Sequence, residues 1–357
     1  MSIIKVLKPG MFTTIQDGGR TNYQKSGVPV SGAMDTFSLK VANLLVGNRE
    51  EEAGIEATFL GPSLEFSDNT AIAISGGDMC PRLNDKAVDM WCSLEVKKGD
   101  ILSFGGVKEG CRSYIAVAGG IDVPVIMNSK STYTRGKLGG LEGRILAAGD
   151  EIKLLGDKTN EHFKSIRLPE KFIPIYKKVL CLRVVLGPQE DYFTQEGIHT
   201  FLNSEYVVTN ESDRMGYRLN GPKIIHKNGA DIISDGIVMG AIQVPGHGEP
   251  IIMIADRQTT GGYTKIASVI TPDINLLAQA KPGDKISFKS IEITEAHKLY
   301  KAYINNIGEI KEYIELSNSN NTDPERNQIN GSKSLNIKKY TVTVNLKKYN
   351  VLVEEVD

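Results

Sequence analysis

The stretch VLCLRVVL at residues 179–186 decides the fold class of this chain. It is too short for a core helix and is rich in the β-branched residues that favour strands. Similar runs recur between clusters of Gly, Pro, Asp and Asn, namely TAIAIS at 70–75, SYIAVA at 113–118 and PIIMIA at 250–255. The pattern predicts a mainly β fold whose short strands are joined by tight turns. Because most of these runs are continuously apolar, we expect their strands to be buried on both faces.

A Gly-Asp pair precedes a strand-like run at three places. The pairs are Gly99-Asp100, Gly149-Asp150 and Gly283-Asp284, and in each the glycine can supply the positive φ that a sharp reversal requires. Gly-Pro pairs also recur on both sides of the chain's middle, at residues 61–62, 187–188 and 221–222. These recurrences hint at two related halves.

Helical periodicity is limited to three segments. Apolar residues at helical spacing mark residues 35–45, 189–201 and 294–316. Asp35 suits the N-cap of the first segment, since its side-chain oxygen can accept from unpaired backbone N–H groups. We expect these helices to cover or connect the strands.

Changes in composition divide the chain into segments. Charge rises and glycine disappears around residues 157–178, which is typical of a linker, and residues 317–334 have too little apolar content to fold. Residues 339–356 alternate apolar and polar residues about a central Asn-Leu-Lys-Lys, which predicts a β-hairpin. The predicted organisation is an N-terminal β-barrel-like domain at 1–156, a linker at 157–178, a second β-barrel domain at 179–295, a helix at 296–316, a flexible linker at 317–334 and a hairpin at 335–357.

Composition also excludes classes of function. Lys and Arg total 42 against 43 Asp and Glu, so no long-range field would attract nucleic acid or anionic lipid. The four cysteines show no C-x-x-C, which argues against a disulfide framework or zinc knuckle and favours buried thiols. No apolar run reaches the length of a signal peptide or membrane span, and no histidine spacing or glycine-rich loop indicates a metal or nucleotide site. We therefore expect a cytoplasmic protein without nucleic-acid, membrane or metal partners.

Two polar segments are candidates for chemistry. In TIQDGGR at residues 14–20, Asp17 and Arg20 either pair locally in a turn or line a ligand site, because dense glycines let a backbone come close to a ligand. Both interpretations stay open. In DRQTTGGY at residues 256–263, an apolar run delivers a carboxylate, a guanidinium, an amide and hydroxyls to one rim.

The inventory of the second segment suits a planar amide or carboxylate ligand. Arginine makes bidentate contacts, and glutamine both donates and accepts hydrogen bonds. The alternative is a structural corner in which Asp256 and Arg257 satisfy buried backbone groups. We favour the functional interpretation because so many polar residue types crowd between apolar runs.

Six motifs in consistent order give the chain a family resemblance. They are QDGGR from Gln16, GVPVSGAMD from Gly27, AVAGGIDVP from Ala116, SDRMGYRLNG from Ser212, GAIQVP from Gly240 and DRQTTGGY from Asp256. Together they resemble the family of 5-oxoprolinase C subunits, which includes KipA-type antagonists of a sporulation-kinase inhibitor and a region of urea carboxylase. This is the biotin-dependent carboxyltransferase-like family of urea amidolyase and allophanate hydrolase subunit 2. The resemblance implies two linked cyclophilin-like β-barrel domains with a few covering helices and a C-terminal β-hairpin tail.

The resemblance also implies an activity and partners. In this family the C-type chain works with a B-type (KipI-like) subunit and an A-type subunit, and the complex uses ATP to open 5-oxo-L-proline to L-glutamate. The alternatives are a binding module that antagonises a histidine-kinase inhibitor, and a biotin-dependent carboxyltransferase acting on a small amide such as urea. The tail resembles the opening strands of a biotinyl carrier domain but has no Met-Lys-Met. We therefore expect no biotinylation site, and ATP bound through the complex.

The polar inventory and the resemblance together give a set of site residues. The catalytic candidates are Asp256, expected to contact or deprotonate an amide nitrogen, and Tyr263. Candidates for binding the amide or lactam substrate are Asp17, Arg20, Arg214, Gln243, Arg257, Gln258 and Thr260. The assignment requires the loops near Asp17 and Asp256 to converge on one pocket.

Overall fold

The computed structural model describes residues 2–156 and 165–318, together with the backbone of residues 319, 337–344 and 347–354. The chain divides into two units, residues 1–315 and 316–357. Most of the predicted linker at 317–334 lies outside the described residues, and the predicted domain boundaries stay a prediction.

The strands up to residue 154 form two sheets around a common core. Their bounds are β1 (Ile3–Lys8), β2 (Phe12–Gln16), β3 (Gly54–Thr58), β4 (Ser63–Phe66), β5 (Thr70–Asp78), β6 (Arg82–Leu83), β7 (Lys86–Ala87), β8 (Cys92–Val96), β9 (Ile101–Ser103), β10 (Glu109–Val117), β11 (Ile121–Asp122) and β12 (Glu151–Leu154). One sheet has the order β11-β12-β1-β4-β9-β6-β7 and the other β2-β3-β10-β5-β8. Ile4 and Val6 from the first sheet pack with Ile55 and Ile115 from the second, so each sheet buries its apolar face against the other.

The second half closes as a barrel. Its strands are β13 (Val179–Leu186), β14 (Tyr206–Val208), β15 (Gly216–Asn220), β16 (Asp231–Gly236), β17 (Ala241–Gln243), β18 (Ile251–Met253), β19 (Thr260–Tyr263), β20 (Lys265–Val269) and β21 (Lys285–Ser290). The barrel order is β13-β20-β17-β18-β15-β14-β21, while β16 and β19 pair as a separate two-stranded ribbon. In the second unit, β22 (Ile337–Val344) and β23 (Lys347–Glu354) pair antiparallel as the predicted hairpin.

The predicted class, mainly β with few helices, is confirmed. Strands β5 and β10 are buried almost throughout, as continuous apolar runs require. Strand β13 is different, because its residues alternate between buried and exposed, so the expectation of burial on both faces is wrong there. The outward face of a barrel strand meets solvent, and Cys181 on that face is exposed, as is Cys80, whereas Cys92 and Cys111 are buried.

The three Gly-Asp pairs build the same turn. Gly99, Gly149 and Gly283 have φ of 86°, 91° and 90°. In each turn the aspartate side chain accepts the backbone N–H three residues before it, at 2.8, 2.7 and 2.9 Å. The glycine therefore supplies the left-handed conformation and the aspartate closes the loop.

Four helices cover or connect the strands in the described part of the chain. They are α1 (Thr36–Leu45), α2 (Gln195–Asn203), α3 (Thr271–Leu277) and α4 (Ile293–Ser319). Asp35 caps α1 as predicted, accepting from the Ser38 N–H at 3.0 Å. The sequence did not predict α3, since seven residues are too few to establish a helical period. Among the described helices, none combines the length and apolar character that crossing a membrane requires.

Candidate functional site

A buried arginine joins the two halves of the first unit. Arg214, only 6% exposed, precedes β15. Its Nε and Nη2 donate to the two carboxylate oxygens of Asp256 at 2.9 and 3.2 Å, and Nη2 also donates to the Gly32 carbonyl at 2.6 Å. Its Nη1 donates to the carboxylate of Glu56, a residue of β3. Burial acts to lower the pKa of Arg214, but Asp256 and Glu56 raise it above its ordinary value, so the guanidinium stays charged.

Glu56 was not among the predicted site residues, although it is central to this contact. Besides Arg214, its carboxylate accepts from the Met34 N–H and from the Tyr114 hydroxyl, each at 2.8 Å. Burial raises the pKa of Tyr114 well above its usual range, so the hydroxyl keeps the proton it donates. The available signal was a single glutamate in the otherwise uncharged strand GIEAT, since a charged residue is buried in such a strand only when it is paired.

A second group of hydrogen bonds crosses between the halves beside Arg214. The Gln279 Oε1 accepts from the backbone N–H groups of Cys111 and Arg112 at 3.0 and 2.9 Å, and its Nε2 donates to Asp35 at 2.8 Å. The Arg112 guanidinium donates to the Tyr217 hydroxyl at 2.8 Å. We call the Arg214 contacts and this second group the polar seam.

The loops near Asp17 and Asp256 lie side by side. The Ser31 N–H donates to the Ala255 carbonyl at 3.0 Å, and the Ala33 N–H donates to the Asp17 carbonyl at 3.0 Å. The segment of residues 31–33 therefore touches both loops. The two polar segments singled out in the sequence are neighbours in space, and a pocket shared between them stays a prediction.

Asp17 and Arg20 each hold the neighbouring loop together. The Asp17 carboxylate accepts from the Gly19 N–H at 2.8 Å, the Ser129 hydroxyl at 2.8 Å and the Lys130 N–H at 2.5 Å. Arg20, with no exposed surface, donates to the carbonyls of Ile126 and Ser131 at 3.1 and 2.7 Å. These contacts favour the structural interpretation of both side chains.

The remaining predicted residues gather at the ribbon of β16 and β19. Gln258 Nε2 lies 3.5 Å from Gln243 Oε1, and Gln243 is buried on β17. Thr260 pairs with Gly236 across the ribbon, and Tyr263 pairs with Asp231. Tyr263 is 42% exposed, so its ring is open to solvent at the ribbon's far end.

Arg257 fits the structural-corner alternative. It is 8% exposed, and it donates to the carbonyls of Ile237 and Ile254 at 3.1 and 3.2 Å. Burial lowers the pKa of Arg257 to about 10. Within residues 2–156 and 165–318, no carboxylate forms an ion pair with it.

A lysine that the sequence analysis missed lies beside Gln243. Lys265 opens β20, is paired with Gln243 of β17, and is 2% exposed. Its ammonium lies 3.2 Å from the carboxylate of Asp235, which is 56% exposed on the ribbon. The Gly236 N–H and then Lys265 lower the pKa of Asp235, so its carboxylate is ionised at neutral pH. The signal was a lysine that opens a mostly apolar strand one residue beyond DRQTTGGY.

Four of the predicted site residues, together with three that the sequence did not indicate, form two clusters connected by the segment at residues 256–258. The seam cluster holds Asp256, Arg214 and Glu56, and the arginine fixes both carboxylates. The ribbon cluster holds Gln243, Gln258, Lys265 and Asp235, and it combines neutral amides with a buried cation. Acceptors and donors of this kind suit an amide ligand, and the described residues contain no group of three or more metal-ligating side chains.

Known proteins are similar to this chain in both sequence and fold. Residues 26–290 match the family model of the carboxyltransferase domain, subdomain A and B. The C subunit of 5-oxoprolinase from Escherichia coli is 37% identical over 83% of this chain and 94% of its own length, and that from Haemophilus influenzae is 34% identical over 88% and 100%. The crystal structure of the K. lactis urea amidolyase superposes with a TM-score of 0.81 at 36% identity, over 86% of this chain but only 20% of that one.

The chain therefore belongs to the family of carboxyltransferase domains with subdomains A and B. Two relatives that it matches over nearly their full length are named as C subunits of 5-oxoprolinase. The resemblance predicted from the six sequence motifs is confirmed.

Proposed function

We propose that this chain is the C subunit of a multi-subunit, ATP-dependent 5-oxoprolinase that opens 5-oxo-L-proline to L-glutamate. The observation that carries the proposal is the length of the match. The relatives named as 5-oxoprolinase C subunits are covered over 94% and 100% of their length, whereas the urea amidolyase structure is covered over 20%.

The proposed reaction activates the lactam carbonyl and then hydrolyses it. The terminal phosphoryl group of ATP passes to the lactam oxygen and ADP leaves. One water adds to the carbonyl carbon of the lactam. The bond between that carbon and the ring nitrogen then breaks, and the nitrogen takes up a proton and becomes an amine. A second water displaces phosphate from the resulting acyl phosphate, giving L-glutamate.

This chain's residues would bind and orient the planar lactam. In the proposal, Asp256 accepts from or deprotonates the lactam nitrogen. Arg214 donates one hydrogen bond to each oxygen of that carboxylate, and each oxygen has a further lone pair that can accept. The Gln243 and Gln258 amides supply a donor and an acceptor beside the ribbon, and Thr260 and Tyr263 line its open side.

ATP and the partner chains belong to the complex. The sequence has no glycine-rich phosphate loop, and Arg214 is already shared between Glu56 and Asp256. The seam therefore offers no free cation cluster for a triphosphate among the described residues. We assign ATP to the A-type and B-type (KipI-like) subunits, and to this chain the placement of the lactam.

A carboxyltransferase acting on a urea-like amide is the second candidate. The fold match to urea amidolyase at 36% identity favours it. That activity needs a biotinylated carrier, and the 357 residues contain no Met-Lys-Met.

Reconstitution tests the proposal. The full chain is mixed with its A-type and B-type partners, ATP and 5-oxo-L-proline, and glutamate release is measured with each component omitted in turn. We expect release only from the complete mixture, and an assembled complex that releases no glutamate refutes the proposal. Biotin-dependent carboxylation of urea by the same mixture would instead establish the second candidate.

A pair of variants tests the role of the Asp256 carboxylate. Asp256→Asn should abolish turnover while co-elution with the partners is kept, because the side chain keeps its shape but loses its charge. Asp89→Asn is the control, since the Asp89 side chain is 65% exposed in a surface ion pair. Turnover by Asp256→Asn equal to that by Asp89→Asn would remove Asp256 from the reaction.

A further inference from the structure

Two nitrogen donors are buried beneath the ribbon without a full set of hydrogen bonds to the described residues. The Lys265 ammonium and the Gln243 amide nitrogen are both buried, and none of the described residues accepts a hydrogen bond from either. Each side chain is 2% exposed. Leaving such a donor without a partner costs more than the bond itself contributes, and the cost is greater for a charged group. An acceptor is therefore expected at this position.

The two donors are neighbours. Gln243 and Lys265 are paired across strands β17 and β20 at a point where the register shifts, and the ribbon covers both residues. Gly261 of the ribbon lies against the Gln243 amide, and a Cβ at that position would come within 2.8 Å of Nε2. The nearest atom to such a Cβ would be Ile237 Cδ1 at 2.7 Å, so the ribbon packs closely on this face and a ligand reaches the two donors only when the ribbon moves.

The ion-pair partner of Lys265 lies at the exposed edge of the ribbon. The Asp235 carboxylate lies 3.2 Å from the ammonium and forms an ion pair with it. Asp235 is 56% exposed, while Lys265 is 2% exposed. Asp235 is therefore the member of the ion pair that solvent reaches.

The missing acceptor has a definable chemistry. It must offer two oxygen atoms to two adjacent donors and carry negative charge, since one donor is an ammonium. A carboxylate meets these requirements, whereas a neutral urea offers a single carbonyl oxygen and no charge.

We propose that Lys265 and Gln243 form a receptor for the carboxylate of an amide-bearing acid, with Asp235 as an internal competitor for the ammonium. The inference rests on the proposed function and narrows it. The ligand class becomes lactams and amides that carry a carboxylate, as 5-oxo-L-proline does. Uncharged amides of the urea type lack the group that this receptor binds.

Calorimetric titration of the full chain, free and in its native complex, tests the receptor. The probes are 5-oxo-L-proline and 2-pyrrolidinone, which share a lactam ring and differ in the carboxylate. The wild-type chain should bind the acid at least about tenfold more tightly, which is about 1.4 kcal/mol. Lys265→Met should erase that preference.

Asp235→Asn separates the receptor from a purely structural ion pair. If Asp235 competes with the ligand, Asp235→Asn should bind 5-oxo-L-proline more tightly than wild type, opposite to Lys265→Met. If the pair only stabilises the ribbon, both variants should change binding in the same direction. Lys285→Met is the matched control, since Lys285 forms an ion pair with Glu205 at 51% exposure and should bind as wild type does.

Several results would refute the proposed carboxylate receptor. Equal affinity of the wild-type chain for the two probes would show that the donors are merely hydrated. A carboxylate preference retained in Lys265→Met, or no binding of 5-oxo-L-proline to either the free chain or the complex, would also refute it. A carboxylate preference without glutamate release in the reconstituted mixture would instead refute the proposed reaction and leave the receptor standing.

Discussion

Replacing Arg214 should greatly lower the free energy of unfolding. Replacing it with methionine keeps an unbranched side chain of similar reach and removes the charge. Glu56 and Asp256, at 1% and 4% exposure, are then left buried without their cation. Removing one partner of a buried ion pair costs about 3–5 kcal/mol, and Arg214 serves two carboxylates at once. We expect Arg214→Met to lose at least about 3 kcal/mol of the free energy of unfolding.

Urea unfolding at pH 7 measures this loss, followed by far-ultraviolet circular dichroism and by the fluorescence of the single tryptophan, Trp91. Arg144→Met is the control, since Arg144 pairs with Glu142 and Asp150 at 39% exposure and a surface pair contributes about 0–1 kcal/mol. The triple variant Arg214→Met, Glu56→Gln and Asp256→Asn removes all three charges of this contact and should recover about 2 kcal/mol. A loss in Arg214→Met no larger than in Arg144→Met refutes the reasoning.

Two further predictions concern stability. Burial raises the pKa of Asp35, so its ionisation opposes folding, and the wild-type chain should gain stability relative to Asp35→Asn as the pH falls from 7 towards about 4. Urea unfolding at several pH values measures that gap, and a gap that stays constant or shrinks contradicts the assignment. A Cβ at Gly139 would lie 2.0 Å from the Ser131 carbonyl oxygen, while one at Gly99 meets nothing within 4 Å. Gly139→Ala should therefore lose at least about 2 kcal/mol more than Gly99→Ala in thermal unfolding, and equal losses would show that the backbone conformation alone matters.

The parts of the fold that were predicted from sequence depend on local chemistry. The positive φ of Gly99 and its two counterparts, the Asp35 cap and the short apolar runs each follow from a few consecutive residues. Such features are determined before any distant strands pair. The exposed face of β13 was missed for the same reason, because its solvent side is set by barrel closure and not by its own apolar sequence.

The site was predicted only in part, because its key contacts are non-local. Arg214 and Asp256 were singled out from their motifs, but their partner Glu56 lies 158 residues before Arg214 in the chain. Lys265 was missed because a lysine at the start of a strand ordinarily extends into solvent. Its burial depends on the ribbon of β16 and β19 covering it, which no local pattern indicates.

The polar seam constrains how any ligand can reach the two clusters. Parting the halves would expose the contacts of Arg214 and of Gln279 together, and each buried charge or amide would lose partners supplied by the other half. Breaking buried polar contacts of this kind costs several kcal/mol, so a hinge opening along the seam is strongly disfavoured. Moving the ribbon would expose less buried surface, since the residues of β16 are mostly exposed already. Entry to Gln243 and Lys265 should therefore depend on displacement of the Asp235 side chain and the ribbon, while the seam keeps Asp256 fixed at the other end of the turn.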